Sequence, residues 1–548
     1  MAFRNSAPRT TATTLELASA GGTGRKLFAL VRTQWAAVLF VALALAALIW
    51  VSDTLFMRGY ATASTKSDYW EHTAALRALI EHPWHPGNPH LATNDASPRF
   101  TPEFVLLALV ARTIGVNAFD AMALAGTVNV AVLLAGVYAF YRMYFQDARA
   151  PLYGLIVALA SWLEGFRYSS VYQLSVLFEV AGYPSTFAVG CTFVTFAVVL
   201  RALRGEESRW WFALVGLSMT NVVLTHALTA TMTLTGTLAL AWFEPGIARR
   251  RRWLVMGSAV TGCFLALLWP YFSIWQTVHS GDDVNTSWAS EGLLAHVQDN
   301  LEREPHHFYL QGPLFRTVGF AALGLYALVR FVRSGRHTFV VVGALVMLAP
   351  FVLNRFIELP LGHRFILLVI PYLQMGTVWL MLRATPGFHE GWWQLHGPPW
   401  RRYAAIAGVV ALLGAMVAIN VYRGVRVNQR EVSHEVIRLC HDVAKAAGPN
   451  AVVLADPKLS WPLPACGVKV VALFHPNPLV PDDAARLNTT YDFMDRKLSR
   501  KYRDEILRKY GVTHLLTERK APKRVRRYAV ARGTARRLRG GYVLYRIH

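Results

Sequence analysis

Long apolar segments separated by shorter polar ones occupy the first three quarters of the chain. The apolar runs have roughly 16 to 22 residues, which is the length that an α-helix needs to cross a hydrocarbon core of roughly 30 Å. Trp35–Ser52, Trp253–Phe272 and Phe365–Leu382 are examples, and no such run occurs after residue 422. The pattern predicts a polytopic α-helical membrane protein followed by a separate water-soluble domain.

The apolar runs predict about eleven transmembrane helices. Thr101–Val116 is apolar but short, and counting it as a span would reverse the side of every later charge cluster. We therefore place it along the outer membrane interface as a juxtamembrane helix. Segment 210–243 is interrupted by Thr225-His226-Ala227, which predicts two short helices with a tight outer hairpin, and one very long tilted helix is the alternative. The expected spans are 35–52, 120–141, 151–164, 184–203, 210–225, 228–243, 253–272, 315–332, 338–354, 365–382 and 403–421.

Composition and charge agree with a membrane protein. Of the 548 residues 54% are hydrophobic and 16% are charged, whereas a soluble domain carries about 25% charged residues. The net charge of +23 raises the question of nucleic-acid binding. We exclude it because most cations in the first 420 residues form short clusters between apolar runs, the pattern that orients a membrane protein. We expect these clusters in the cytoplasm, and they are Arg142 and Arg149; Arg201, Arg204 and Arg209; Arg249 to Arg252; Arg330, Arg333 and Arg336; and Arg383, Arg401 and Arg402.

The charge pattern predicts three parts, with the N-terminus cytoplasmic and the C-terminal domain on the outer side of the membrane. Residues 1–34 are expected to form a disordered cytoplasmic arm. Residues 35–422 form the transmembrane domain, with a large first outer loop over 53–119, and residues 423–548 form a periplasmic domain. The first apolar run is long and no A-x-A-type cleavage site is evident, so we expect a retained helix and not a signal peptide.

Strands alternate with helices in the periplasmic domain, which predicts a small α/β sandwich. Asp456-Pro457-Lys458 stands where a glycine-rich phosphate loop would follow the first strand, so no nucleotide site is expected. The expected helices are Ser433–Ala447 and Asp492–Tyr510, and the expected strands are Ala451–Asp456, Val468–Phe474, His514–Thr517 and Gly541–Ile547.

Two features of this domain leave alternatives open. Lys520–Arg539 holds nine basic residues and no acid, either as a solvated surface or as a patch that contacts anionic lipid head groups or an anionic glycan acceptor. Cys440 and Cys466 lack the CxxC or His spacing of a metal site. They form a disulfide if the domain faces an oxidising periplasm, and they are buried thiols otherwise.

The first outer loop is dense in polar and aromatic residues and is the expected place for chemistry. Asp68 and His72 are four residues apart, so they share one face of a short helix. A carboxylate beside an imidazole can act as a general base, and the alternative is that Ser67 or Asp68 only caps the helix that runs to Ile80. His82–His90 alternates histidine with proline, which favours an extended loop over a zinc site. The other carboxylates considered are Asp53, Glu103, Glu164, Glu179 and Glu358.

Four features together make the chain resemble the GT-C glycosyltransferases. The first helix is followed by a large outer loop with an acidic residue, Asp68. A proline-containing amphipathic stretch that begins Thr101-Pro102-Glu103-Phe104 then leads to the second span. Gly362-His363-Arg364-Phe365 sets an arginine and an aromatic residue at the mouth of a late span. The outer domain has Tyr510-Gly511-Val512-Thr513-His514-Leu515-Leu516 at the entry to a strand.

The GT-C superfamily includes protein O-mannosyltransferases, oligosaccharyltransferase catalytic subunits, lipid A aminoarabinose transferases and mycobacterial arabinofuranosyltransferases. The resemblance implies transfer of a sugar, with inversion, from a decaprenyl- or undecaprenyl-phosphate donor to an extracytoplasmic glycan, lipid or protein of the cell envelope. The first loop has no Asp-x-Asp or Asp-Glu pair and the tail has no Trp-Trp-Asp motif. This departure argues against the oligosaccharyl and O-mannosyl branches and leaves an arabinofuranosyltransferase-like or unclassified bacterial branch.

GT-C chemistry also implies roles for particular side chains. Asp68 would deprotonate the acceptor hydroxyl. Arg364 would hold the leaving phosphate through paired hydrogen bonds, and its alternative role is to anchor the helix at the membrane interface. Arg355 and His363 would add phosphate contacts, and the residues expected to contact substrate are Glu71, His72, His226 and Glu358. No cofactor is assigned, and a divalent metal stays open.

Two other functions remain as alternatives. A flippase or transporter for lipid-linked sugars would carry acidic residues in mid-span, whereas the ionisable residues of this chain cluster at the outer mouth. A ligase that transfers a whole glycan from a lipid pyrophosphate would have its large outer loop between late spans, and here the larger loop is early.

Overall fold

The structure is a computed structural model of the whole chain. It describes residues 23–58, 68–163, 170–205, 209–279, 318–357, 359, 361–385, 399–428, 434–449, 451–473, 477–494 and 498–548. Predicted features that involve Glu164 or Glu358 therefore lie outside the described residues.

The transmembrane domain is built from helices in every segment where a span was expected. Six of the described helices are long and apolar enough to cross a membrane by length and composition, and the helices at 150–160, 227–243 and 338–353 are apolar but shorter. The number of crossings therefore stays a prediction. The helices are α1 (Thr23–Arg58), α2 (Tyr69–Glu81), α3 (Pro102–Ile114), α4 (Ala118–Phe145), α5 (Ala150–Ala160), α6 (Leu177–Val180), α7 (Pro184–Arg204), α8 (Arg209–Thr225), α9 (Ala227–Phe243), α10 (Arg249–Leu265), α11 (Ile274–His279), α12 (Leu323–Ser334), α13 (Thr338–Leu353), α14 (Ile366–Ala384) and α15 (Pro399–Asn428).

Helices α8 and α9 form the predicted hairpin. The chain turns at His226, whose extended backbone (φ −158°, ψ 104°) separates the two helices. Arg204 at the end of α7 lies 2.7 Å from Glu244, directly after α9. Because α8 begins soon after α7 ends, this ion pair brings the end of α9 back to the side where α8 started. A single long helix is therefore excluded.

Helix α3 confirms the predicted short helix before the second span. Thr101 caps its first turn by accepting a hydrogen bond from the Phe104 N–H, and Gly115 ends it in the left-handed conformation. Leu106, Val110 and Ile114 are exposed along one face at intervals of four residues. Such an apolar stripe suits a helix that lies at a membrane interface, although the position of α3 in a bilayer stays a prediction.

The C-terminal domain has a five-stranded mixed sheet with helices packed against it. The strand order is β2-β1-β3-β5-β4, with β1 parallel to β2 and β3, and β5 antiparallel to β3 and β4. Its elements are α16 (Glu435–Ala447), β1 (Val452–Leu454), α17 (Pro457–Ser460), β2 (Lys469–Val470), α18 (Asp483–Met494), α19 (Arg500–Lys509), β3 (His514–Glu518), α20 (Lys523–Arg532), β4 (Gly533–Arg537) and β5 (Tyr542–Ile547). The predicted α/β class is confirmed.

The prediction of one helix over Asp492–Tyr510 is wrong, because α18 ends at Met494 and α19 begins at Arg500. Ser499 caps α19 by accepting a hydrogen bond from the Tyr502 N–H. The Arg503 side chain is buried and donates hydrogen bonds to the backbone oxygens of Phe493 and Leu498. This arginine ties the end of α18 to the residue before the cap of α19, where charge alone suggested one solvated helix. The basic segment Lys520–Arg539 also contains α20 and β4, which were not predicted.

The C-terminal domain packs directly on the first outer loop. The Val470 N–H donates to the His90 oxygen at 2.9 Å, so that Leu91 adds a parallel β-bridge to strand β2. Lys469 Nζ donates to the Asn88 oxygen at 2.5 Å, and Arg77 Nη1 donates to the Pro464 oxygen at 3.3 Å. The first loop and the C-terminal domain therefore lie on the same side of the transmembrane helices, as the charge pattern predicted.

Candidate functional site

A small polar cavity of about 70 Å³ lies where the first outer loop meets the ends of several helices. Helix α2, the loop before α3, the start of α7 and the α8–α9 hairpin each contribute to its wall. Its lining includes three residues that the sequence predicted for the site: Asp68, His72 and His226. The others are Pro98, Arg99, Thr101, Tyr183, Pro184, Ser185 and Thr225.

Asp68 occupies the position before the first residue of α2, but its side chain makes no capping hydrogen bond. Its backbone oxygen instead accepts the His72 N–H at 3.0 Å, and its carboxylate lines the cavity. His72 is buried, with its ring between the rings of Phe104 and Tyr183 at centroid distances of 5.5 and 5.3 Å. The Asp68 side chain therefore does not cap α2, and Ser67, the other candidate cap, lies outside the described residues.

Arg99 is the cation at this cavity that sequence reasoning missed. Its Nη2 and Nε lie 2.6 and 3.1 Å from Glu71 Oε2. Burial lowers the pKa of Arg99, but the negative charges of Glu71 and Asp68 outweigh burial and raise that pKa above its ordinary value. Glu71, predicted to contact substrate, is thus the counter-ion of a cation that lines the cavity.

His226 is held as a neutral imidazole. Its Nδ1 accepts the Thr229 N–H at 3.2 Å and lies 2.8 Å from Thr229 Oγ1, which assigns the ring proton to Nε2. Burial, followed by the positive charges of Arg364 and Arg99, lowers the pKa of His226 to about 4. At neutral pH this histidine is therefore a hydrogen-bond donor at the cavity wall and not a cation.

Arg364 lies in a single 3₁₀ turn, Gly362–Phe365, directly before α14. Asn354 fixes this turn, since its Oδ1 accepts the Leu359 N–H at 2.9 Å and its side chain lies only 2.6 Å from where a Cβ on Gly362 would be. The charge of Arg364 acts on His226, so the turn lies near the cavity although Arg364 is not among the lining residues.

The other two predicted phosphate ligands, His363 and Arg355, differ in their burial. His363 is buried within the same turn as Arg364. Arg355 is exposed two residues beyond the end of α13 and does not line the cavity. The two arginines predicted on this segment therefore differ in burial, since Arg364 is half-buried and Arg355 is exposed.

The competing carboxylates of the first loop are distinguished by their surroundings. Asp53 is exposed within α1. Glu103 is buried in the first turn of α3, and burial raises its pKa to about 8 even though the nearby Asn129 side chain favours the charged form. Glu103 is thus mostly protonated at neutral pH, and neither residue lines the cavity. Among the described residues that line the cavity, Asp68 is the acidic one.

The residues that sequence reasoning missed had weak local signals. Arg99 stands between Pro98 and the capping residue Thr101, in the first outer loop that is dense in polar and aromatic residues. Tyr183 precedes Pro184 at the start of α7, in an outer connection with few cations. Among the described residues, no group of three His, Cys, Asp or Glu side chains is arranged to hold a metal ion.

No protein-family model and no curated protein matches this chain. Solved structures do match in shape. ArnT from Cupriavidus metallidurans in the apo state has a TM-score of 0.52 at 15% identity, covering 94% of this chain and 98% of that one. The same enzyme bound to undecaprenyl phosphate has a TM-score of 0.51 with the same identity and coverage.

The Archaeoglobus fulgidus oligosaccharyltransferase in complex with Zn and sulfate also has a TM-score of 0.52. It is 11% identical, and the match covers 90% of this chain and 71% of that one. These proteins are GT-C glycosyltransferases. At such low identities the similarity shows the fold alone, and the chain therefore has the GT-C fold that the sequence predicted.

Proposed function

We propose that this chain transfers a sugar from a polyprenyl-phosphate donor to an extracytoplasmic acceptor of the bacterial cell envelope. The observation that carries the proposal is Asp68, an acidic side chain free of a capping bond, at a cavity with Arg99 in its wall and Arg364 close by. A base beside cations is what transfer from a lipid phosphate requires. The GT-C fold supports a transferase, and ArnT, which shares it, is bound to undecaprenyl phosphate in one structure.

The reaction divides between Asp68 and the arginines. The Asp68 carboxylate takes the proton from an acceptor hydroxyl as its oxygen attacks the anomeric carbon from the face opposite the phosphate. The bond from that carbon to the phosphate oxygen breaks, and polyprenyl phosphate leaves with the electron pair. Arg364 stabilises the leaving phosphate through paired hydrogen bonds, and Arg99 holds positive charge at the cavity wall. Attack from the opposite face inverts the anomeric configuration.

The remaining substrate contacts follow from the cavity. His72 and the Nε2–H of His226 suit sugar hydroxyls, because each ring lies at the wall and His226 is neutral. His363 supports the turn that carries Arg364. The donor is a decaprenyl- or undecaprenyl-phosphate sugar, and the arabinofuranosyltransferase-like or unclassified bacterial branch remains our proposal for its class.

The activity is tested with the purified full chain in detergent and a panel of polyprenyl-phosphate sugars, including arabinofuranosyl and aminoarabinosyl donors. Release of polyprenyl phosphate in the presence of cell-envelope extract measures transfer. Asp68→Asn should reduce transfer by roughly 10²–10⁴-fold while expression and donor binding stay near normal. Asp53→Asn and Glu103→Gln are the matched controls and should retain activity. Loss of transfer in a control but not in Asp68→Asn would assign the base elsewhere, and no effect in any of the three would refute a GT-C mechanism.

The proposed orientation places the first outer loop and the C-terminal domain in the periplasm. Because these two parts pack on each other, one reporter decides the side for both. A periplasm-active reporter fused after His548 should be active, and a cytoplasm-active reporter at the same place should be silent. The reverse result would put Asp68 on the cytoplasmic side and would end the proposal of extracytoplasmic transfer.

A further inference from the structure

A second cavity, of about 130 Å³, lies at the opposite end of α14 from Arg364. Helix α14 has 19 residues and is therefore about 28 Å long, close to the thickness of a bilayer core. The end of α12, the start of α13 and the end of α14 meet at this cavity. The two cavities are thus at opposite faces of the transmembrane domain.

Three arginines line this second cavity, Arg330, Arg336 and Arg383, and among the described residues that line it none is acidic. Phe331, His337 and Trp379 supply aromatic walls, with the Arg383 guanidinium 4.7 Å from the Trp379 ring centroid. Clusters of arginine that only orient a membrane protein need not enclose a space. Here the arginines enclose a cavity that is large enough to hold a phosphate group.

The floor of this cavity is fixed by its own contacts. His337 adopts the left-handed conformation (φ 55°, ψ 32°), which is rare for a residue with a side chain. Its Nδ1 lies 2.8 Å from the Tyr144 hydroxyl, and its ring lies 4.7 Å from that of Phe331. Local strain of this kind persists only where surrounding contacts hold the residue, so the cavity is built into the junction of the helices.

The lipid-facing surface next to the cavity is apolar. On α12, Leu325, Val329 and Val332 are 55%, 49% and 65% exposed and share one face at helical spacing. Tyr326, which is 60% exposed beside this face, lies four residues before Arg330 and so continues the apolar surface to the cavity. A ligand with a phosphate group and hydrocarbon chains would match both surfaces, whereas a free anion would use only the arginines.

We propose that this cavity binds the phosphate of an anionic phospholipid, whose acyl chains lie along the exposed face of α12. Basic pockets between transmembrane helices at the membrane interface are suited to such head groups. The site is separate from the candidate transfer site, and the proposal holds whether or not the chain is a transferase. Its role is to stabilise the α12–α13–α14 junction in membranes that contain anionic lipid.

The probe is phosphatidylglycerol added to the full chain purified in a zwitterionic detergent. The melting temperature should rise with phosphatidylglycerol and not with phosphatidylcholine, and native mass spectrometry should retain about one phosphatidylglycerol per chain. Arg336→Gln should weaken this binding severalfold, and Arg330→Gln with Arg336→Gln should weaken it roughly tenfold or more. Arg336 is exposed, so its single variant should fold even if the double variant does not.

Arg333→Gln is the matched control, because Arg333 lies on the same helix and carries the same charge but does not line the cavity. It should bind phosphatidylglycerol like the parent chain. Equal loss in Arg333→Gln and Arg336→Gln would show a diffuse cationic surface and overturn the proposal. Stabilisation by inorganic phosphate equal to that by phosphatidylglycerol would show a free-anion site and overturn the lipid assignment.

Discussion

Arg99 contacts Glu71 through two hydrogen bonds, at 2.6 and 3.1 Å, and this ion pair joins α2 to the loop before α3. Asp68 precedes α2 and lines the same cavity as Arg99. The pair therefore fixes the position of a cation relative to the proposed base. The pair also accounts for an acidic residue at position 71, because a guanidinium without a counter-ion in a partly buried cavity wall would be costly.

Removal of Arg99 and removal of Glu71 should destabilise the protein to different extents. The Glu71 side chain is 4% exposed and that of Arg99 is 25% exposed, so Arg99→Gln removes the guanidinium partner of the more deeply buried charge. We expect a loss of about 3–5 kcal/mol for Arg99→Gln and a smaller loss for Glu71→Gln. The measurement is the melting temperature of each variant purified in detergent, and the double variant should recover part of the loss.

Glu81→Gln provides the control for this comparison. Glu81 pairs with Arg77 at 2.7 Å, but its side chain is 46% exposed, so its removal should cost no more than about 1 kcal/mol. If Arg99→Gln is no more destabilised than Glu81→Gln, the Arg99–Glu71 pair does not anchor the cavity wall.

His90 should make the docking of the two domains sensitive to acid. It is buried beside the Glu71 backbone oxygen, and its own oxygen accepts the Val470 N–H. Burial lowers its pKa to about 4, although the charge of Glu71 acts in the opposite direction. Because the folded state binds fewer protons than the unfolded state between about pH 6.5 and 4, stability is complete above that window and falls as the pH drops through it.

The size of this effect is at most about 1.4 kcal/mol for each pH unit in the window. His90→Gln removes the titrating group, so its melting temperature should fall less steeply between pH 7 and pH 5 than that of the parent chain. His226 titrates in both proteins, so its contribution to the two slopes cancels when they are compared. Parallel slopes for the two proteins would show that His90 is accessible to protons in the folded state.

The parts of the structure that the sequence predicted are those that local patterns determine. Apolar runs such as Pro184–Arg204 form helices because a long buried or lipid-facing segment must satisfy its own backbone hydrogen bonds. The break between α18 and α19 could not be predicted from charge, because Arg503 is buried by contacts with Phe493 and Tyr528. Charged residues in a sequence predict exposure, and here tertiary packing reverses that expectation.

The sequence predicted only the part of the candidate site whose residues lie close together along the chain. Asp68 and His72 share a helix face, so their proximity follows from sequence spacing alone. Arg99 reaches Glu71 across 28 positions and His226 comes from a hairpin far along the chain, so no local pattern encodes these contacts. Only the fold of the first loop against α7, α8 and α9 brings them together.

Cys440 and Cys466 should form a disulfide when the C-terminal domain meets an oxidising compartment. Both are free thiols in the structure, and burial together with the adjacent Cys466 raises the pKa of Cys440. Cys440 lies on α16 and Cys466 ends the turn Leu463–Cys466, so the bond would close a loop of about 25 residues and contribute about 3 kcal/mol. Thiol titration of the denatured, membrane-extracted protein should find two free thiols. A count of four would contradict the prediction.

Arg364 should bind the donor phosphate, and Arg355 should not. Both were predicted as phosphate ligands, but Arg364 is half-buried in the turn before α14 and Arg355 is exposed. Arg364→Lys keeps the charge and loses the paired hydrogen bonds of the guanidinium, so we expect roughly tenfold weaker binding of polyprenyl phosphate with little change in melting temperature. Arg355→Lys makes the same chemical change on an exposed neighbour and should bind the lipid normally. Unchanged affinity in Arg364→Lys would assign this arginine to anchoring α14 at the interface, because a snorkelling cation needs only its charge.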